Sequence, residues 1–210
     1  MSESRMHQNA ASEQVKRQTS DLIIDAAFQI LARDGFQALT ARSVANEAGT
    51  NLALVNYYFG GKKGLLLALY DELEKQRYQR QTSLYADAGE PLSAKWRQAV
   101  EFYKRDLDDG FVRVHHELLA QGFADEELAE RARRRIVNWS ALLVEVAERY
   151  LPDLCEKVPA RQLVAAFAAF WYGMEQQHLI GVPESASPFL AVLDAIGRWL
   201  EGREAAHESP

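Results

Sequence analysis

The 210-residue chain reads as an all-α protein, a three-helix head followed by a larger helical part, about nine helices in all. Three observations predict this. Apolar residues recur at helical spacing along most of the chain, and no stretch alternates with the period of a half-buried strand. Glycine and proline clusters punctuate the periodic segments: Gly89-Glu90-Pro91, Gly110, Pro152, Pro159 and the stretch from Gly181 to Pro188. With 48% hydrophobic and 26% charged residues, the composition is that of a globular chain able to bury a core.

The elements follow in order. Ile23, Ala26, Ala27, Ile30 and Leu31 mark one apolar face of a first helix, which Gly35 stops. Thr40 is a good N-cap for a short second helix over 41–48, ended by Gly49. Asn51 caps a third over 52–58, and Gly60-Gly61 breaks it. A long fourth helix is expected from about Lys62 to Gln81, then five more over roughly 92–108, 111–122, 125–151, 160–180 and 188–204. The first dozen residues and the last eight or so are polar and aperiodic, and read as frayed.

Charge divides the chain in the same place as the helix pattern. Net charge is −6, which by itself argues against nucleic acid. Residues 1–64 hold seven basic and six acidic side chains, a balance of +1, so the remainder carries −7. All four tryptophans (Trp96, Trp139, Trp171, Trp199) lie in that remainder. We read a head over 13–64 and a second domain over 65–204. The one cysteine, Cys155, excludes an intrachain disulfide and a cysteine zinc finger. The longest apolar run, Leu163 to Met174, is short of the ~20 residues of a membrane span, and the N-terminus lacks the apolar core of a signal peptide. A cytoplasmic protein without membrane association is expected.

The informative stretch is Thr40 to Leu65, TARSVANEAGTNLALVNYYFGGKKGL. Two short helices joined by a glycine turn form a helix-turn-helix, whose second helix is sized for a major groove about 12 Å wide. Val44, Ala45, Ala48, Val55 and Phe59 can hold the helices together. Around them stand groups suited to a duplex. Arg42 can reach a guanine edge or a phosphate, Asn56 can pair with adenine, and Tyr57 and Tyr58 can donate to phosphate. Leu52 and Ala53 offer apolar contact to thymine methyls. Lys16 and Arg17, near the expected start of the first helix, and Lys62 and Lys63, at the start of the fourth, oppose the helix dipole, a cost explicable if they meet phosphate. The capping residues Thr40 and Asn51 complete the candidate DNA-contacting set.

This segment resembles the TetR family of bacterial transcriptional regulators. Thr40, Val44, Ala45, Ala48, Gly49, Ala53, Val55, Tyr58, Phe59, Lys62 and Leu65 stand in register with the family pattern. The chain departs from it at Thr50, Asn51 and Asn56; Asn51 keeps the capping chemistry, and Asn56 replaces an aromatic that often touches DNA.

The resemblance implies a repressor that binds a pseudo-palindromic double-stranded DNA operator as a homodimer and is released by a small, largely apolar effector. It implies pairing through the last two helices, here the eighth and ninth. Leu163, Ala166, Phe167, Phe170, Trp171 and Met174 would give one apolar face, with Ala165, Ala168, Ala169 and Gly173 allowing close approach. The ninth helix adds Phe189, Val192, Leu193, Ile196 and Leu200. Candidates for an effector pocket are Trp96, Phe102, Tyr103, His115, Trp139, Phe170, Trp171, Met174 and Gln177, each of which could equally be core. The Arg131, Arg133, Arg134, Arg135 cluster reads as a solvated helix face.

No cofactor is expected. His115-His116-Glu117 and Glu175-x-x-His178 contain metal-ligand types, but a di-iron bundle needs a second such motif and further carboxylates. No nucleophile elbow, phosphate loop or metalloprotease motif is present, so an enzyme is not expected. The alternative is an all-α small-molecule-binding protein or enzyme whose helix-turn-helix is vestigial.

Overall fold

The computed structural model describes the backbone of residues 2–208 and the side chains of residue 14 and residues 16–206. Ten α-helices and no strand occur among the described residues. They are α1 (Ser2–Asp34), α2 (Ala41–Glu47), α3 (Leu52–Phe59), α4 (Lys62–Ala86), α5 (Leu92–Asp108), α6 (Phe111–Gln121), α7 (Glu126–Tyr150), α8 (Pro152–Lys157), α9 (Ala160–Leu179) and α10 (Phe189–Glu208). A 3-10 turn at Phe36–Ala38 follows α1.

Three differences from the sequence expectation have local causes. The helix α8 is additional, making ten rather than nine: Pro152 ends α7, but its fixed φ also suits the first turn of a new helix. The helix α1 begins at Ser2, and α10 continues to Glu208, where frayed ends are expected; in α10 good helix formers such as Glu204 and Ala205 carry the helix on past its apolar face. Met1 and residues 209–210 lie outside the described residues. Finally, α4 runs five residues past Gln81, to Ala86.

The chain forms two compact units. One takes in the chain up to Leu73 together with Arg113–Leu128; the other takes Glu74–Val112 and the chain from Ala129 onward. They divide inside α4 rather than ahead of it.

In the first unit, Ile23, Ala27, Ile30 and Leu31 of α1 are buried with Leu39, Val44 and Ala45 of the α2 region, Val55 of α3, and Leu65 and Leu69 of α4. Each fully buried Val, Leu or Ile contributes about 1.5–3 kcal/mol, so this small cluster fixes the angle between α2 and α3. The end of α1 is closed from α6: Arg113 donates to the carbonyls of Ala32 (3.2 Å) and Arg33 (3.3 Å), meeting the negative helix end with a cation. Gly35, at φ +79°, makes the turn there, and a Cβ on it would come within 3.1 Å of the Arg113 guanidinium.

The second unit is built on aromatic packing. Trp171 of α9 stands edge-on to Tyr103 (4.9 Å between ring centroids) and to Trp96 (6.5 Å), and Phe167 tilts against it at 5.6 Å. Both indole donors are satisfied, Trp171 by Glu175 (2.8 Å) and Trp96 by the Leu193 carbonyl (2.9 Å). Lys95 is fully buried, its ammonium held by the Leu84 carbonyl (3.0 Å) and Glu90 (3.3 Å). Arg203 of α10 pairs with Asp153 of α8, and Glu204 accepts from the backbone and hydroxyl of Ser93.

Candidate DNA-contacting face and ligand cavity

Caps hold the helix-turn-helix in place. The Thr40 side chain accepts from the Ser43 amide (3.0 Å), and Ser43 returns the bond to the Thr40 amide (2.9 Å), a reciprocal capping box. Asn51 accepts from the Leu54 amide (3.0 Å) and so starts α3. Gly60, in the left-handed region, ends it. The next helix crosses so tightly that a Cβ on Gly64 would sit 1.9 Å from the Phe59 carbonyl oxygen.

With Val55 buried, α3 turns the opposite face outward. Leu52, Ala53, Asn56 and Tyr57 are exposed, Tyr57 at 68%, and so are Thr40, Arg42 and Asn51. Tyr58 is half-buried, its ring edge-on to Tyr57 at 5.2 Å. Arg42, Asn56 and Tyr57, exposed together with the apolar Leu52 and Ala53, are the kind of donor and methyl-contacting set that a major groove can use.

The basic residues at helix ends behave differently from the sequence expectation. Lys16 and Arg17 are exposed, but because α1 starts at Ser2 they stand mid-helix and oppose no dipole. Lys62 is half-buried; its ammonium lies 3.9 Å from the centroid of the Phe36 ring and donates to the Phe36 carbonyl (3.3 Å), and burial lowers its pKa. Lys63 pairs with Asp125 and Glu127, both at 2.9 Å. Cations at the start of α4 therefore have partners inside the protein.

A cavity of about 330 Å³ lies within the second unit, the size of small-molecule sites. Trp96, Phe102, Tyr103, Trp139 and Trp171 line it. The other four expected pocket residues are not on its wall. His115 is buried in the first unit beside His116, Met174 packs in the aromatic core, Phe170 is 37% exposed, and Gln177 is exposed.

The sequence reading missed Phe167 and one whole wall, Arg77, Arg80, Gln81 and Leu84 of α4. Their i, i+3, i+4, i+7 spacing was the available signal, masked by their polarity. Arg80 pairs bidentately with Asp106, and its guanidinium lies 5.2 Å from the Phe102 centroid. Arg135, expected on a solvated face, is buried and pairs with Glu74 and the Tyr172 hydroxyl (2.9 Å). Burial pushes the Glu74 carboxyl up against the pull of Arg135 and Arg77.

The expected dimer faces are also redistributed. Trp171, Met174, Phe189, Leu193 and Leu200 are buried in the chain's own core, and Leu163, Phe167 and Ile196 are half-buried. Outward on α9 stand Ala165, Ala166, Ala169 and Phe170, with Gly173 half-buried, and on α10 Leu190 and Val192. Among the described residues, no three His, Cys, Asp or Glu side chains converge on a metal position, and no helix is long and apolar enough to cross a membrane.

Comparison with known proteins agrees with this arrangement. The profile of the bacterial regulatory proteins, tetR family, matches residues 23–69, the stretch from the apolar face of α1 into α4. The chain is 26% identical over 198 residues to the HTH-type transcriptional regulator BetI of Brucella suis (strain ATCC 23445 / NCTC 10510), covering 88% of this chain and 92% of that one. Among solved structures, a TetR transcription regulator from Haloarcula marismortui superposes with a TM-score of 0.71 at 18% identity, over 90% of this chain and 98% of that one. A transcriptional regulator from Saccharomonospora viridis in complex with choline gives 0.68 at 18%, over 89% and 95%. These relatives are regulators and not enzymes, which disfavours a carrier or enzyme with a vestigial head. A capped helix-turn-helix ahead of a hollow helical unit, in a chain that carries the tetR family profile over residues 23–69 and aligns nearly end to end with such regulators, is the build of a DNA-binding transcriptional regulator similar to those of the TetR family.

Proposed function

We propose that the chain is a cytoplasmic repressor that grips a pseudo-palindromic operator as a homodimer and lets go when a small, largely apolar effector enters the cavity of the second unit. The observation that carries this reading is α4. One unbroken helix begins at the end of the helix-turn-helix and supplies Arg77, Arg80 and Leu84 to the cavity wall. A ligand that favours one setting of α4 would alter the spacing of the two heads of a dimer. Effector and operator would then be linked by a coupling of typically 1–3 kcal/mol.

Base contacts are assigned to Arg42 and Asn56, apolar contacts to Leu52 and Ala53, and phosphate contacts to Tyr57, Tyr58, Lys16 and Arg17. Thr40 and Asn51 act mainly by capping, and Lys62 by bracing α4 on Phe36 close to the DNA-contacting face. A homodimer would form through α9 and α10, where Ala165, Ala169 and Gly173 permit close helix approach and Phe170 and Leu190 add apolar area. That a structural relative is in complex with choline supports a small-molecule effector without naming this one.

Gel-shift titration of the gene's own promoter region, at low and moderate salt, tests the reading alongside sedimentation velocity. A dimer that shifts the promoter and loses affinity in Tyr57→Ala supports it. A monomer, or the absence of any duplex binding at low salt, refutes it.

A further inference from the structure

The cavity has one charged end, and its charge is uneven. Arg80 is spent on Asp106. Arg77 is not: its guanidinium makes no hydrogen bond or ion pair among the described residues and lies only over the Phe111 ring, at 5.8 Å. It is half-buried, and it lines both the cavity and a neighbouring hollow of about 210 Å³. That hollow is also lined by Lys75, Arg131, Arg134 and Arg135, the last of them paired with Glu74. Burial disfavours the charged form of Arg77, and the nearby Arg135 adds repulsion; Glu175 and Asp106 offset part of this from a distance. The Tyr103 hydroxyl, buried without a partner, feels the same charges, and burial keeps it protonated. A partly desolvated arginine with no carboxylate in direct contact is costly, and a bidentate carboxylate repairs that cost better than any neutral group.

The rest of the wall is largely apolar, with four indoles, Phe102 and Phe167 lining one cavity. Aromatic walls also suit a quaternary ammonium, but the carboxylate such a cation would need, Asp106, is already held by both guanidinium nitrogens of Arg80.

We propose that the ligand is a small carboxylic acid with an aromatic or branched apolar body, its carboxylate paired with Arg77. This rests on the cavity being the effector site, and deepens that reading by naming the ligand's chemical class.

The test uses full-length protein and three probes that share one body: phenylbutyrate, phenylbutanol and phenylpropyl-trimethylammonium. Binding is followed by quenching of tryptophan fluorescence and by calorimetry. Phenylbutyrate should bind about tenfold or more tighter than either other probe, as a charge-assisted bond in a dry site requires. Arg77→Met should remove that preference while leaving phenylbutanol within about twofold of its original affinity, and Arg77→Lys should fall between. Equal or tighter binding of the alcohol or the ammonium, or no binding of any probe at millimolar concentration, overturns the proposal, and both results come from the unmutated protein. Release of promoter DNA is measured separately. Arg77-dependent binding without release would keep the ligand class and remove the effector role.

Discussion

Gly64 gives the most demanding test of how the DNA-contacting head is held. The substitution Gly64→Ala places a Cβ 1.9 Å from the carbonyl oxygen of Phe59, the last residue of α3, where ordinary contact begins at 3.4 Å. Backbone must therefore move by about 1.5 Å, the gap between those two distances. The obstacle is a main-chain oxygen and not a flexible side chain. Its neighbours Gly60 and Gly61 already hold φ values of 68° and 117°, and Val55, Leu65 and Leu66 anchor both sides of the turn in the core. Overpacking of this kind costs about 1–3 kcal/mol, against a helix-propensity gain near 1 kcal/mol for replacing glycine. Because the obstacle is backbone, the cost lies at the upper end of that range, about 2–3 kcal/mol, so the net loss should be about 1–2 kcal/mol, lowering Tm by roughly 2–8 °C in a chain of this size. Because the displaced group ends α3, promoter affinity should fall by about tenfold or more, the loss expected when recognition geometry shifts by an ångström. Thermal unfolding by circular dichroism and fluorescence anisotropy on a promoter duplex would measure both. Gly202→Ala in α10, where a Cβ meets nothing within 4 Å, is the control and should hold or raise Tm. A Gly64→Ala protein that melts at or above the unmutated one and binds the promoter equally well would refute the argument.

Other outcomes follow from the same geometry. Arg42→Ala should weaken promoter binding and flatten its salt dependence by about one unit of slope if Arg42 meets phosphate, or relax sequence preference if it meets a base, with Tm unchanged because the side chain is exposed. Asn51→Ala should cost about 1 kcal/mol through loss of the α3 cap, and Asn51→Asp should preserve it; equal melting of all three proteins would show that the cap carries no weight. Gly173→Leu should leave the subunit folded, since a Cβ there meets nothing within 4 Å, but should weaken any pairing through α9, read as a shift from dimer toward monomer in sedimentation. Asp153, beside Arg203, is held at about 2 instead of 3.8; a depressed carboxyl stabilises above its unfolded pKa and loses that effect as pH falls from about 4 toward 2. Asp153→Asn should therefore show a shallower loss of stability over that interval than the unmutated protein.

The head was legible in the sequence because its rules are local. Thr40, Asn51 and Gly60 act on backbone groups within a few residues, and the spacing of Ile23, Ile30, Val44 and Val55 announces which faces must be covered. What lay beyond reach was the identity of the covering partner. Lys62 reads as a cation misplaced at a helix start until Phe36, far away in sequence, is seen beneath it. Periodicity marks Trp171, Met174 and Leu193 as a face to be buried but does not say whether the chain's own core or a second copy buries it, and here it is the former. The polar second half of α4 misled for a similar reason. Arg77, Arg80 and Gln81 look like a solvated surface, because a helix facing a polar-ended hollow has the same residue pattern as one facing water. Pro152 signals a stop in the sequence, although a proline that ends one helix is well shaped to begin the next.

The cavity belongs to one compact unit alone, and this has a thermodynamic consequence. Any ligand it takes contributes RT ln(1 + [L]/Kd) to the folding of that unit, about 2.7 kcal/mol at a hundredfold excess over Kd. The helix-turn-helix unit receives none of this directly, only what the shared helices α4, α6 and α7 transmit. With rising ligand a single melting transition should separate into two, the later one moving with concentration. How far the earlier one follows it measures, without any DNA, how much of the ligand's energy reaches the end that grips the operator.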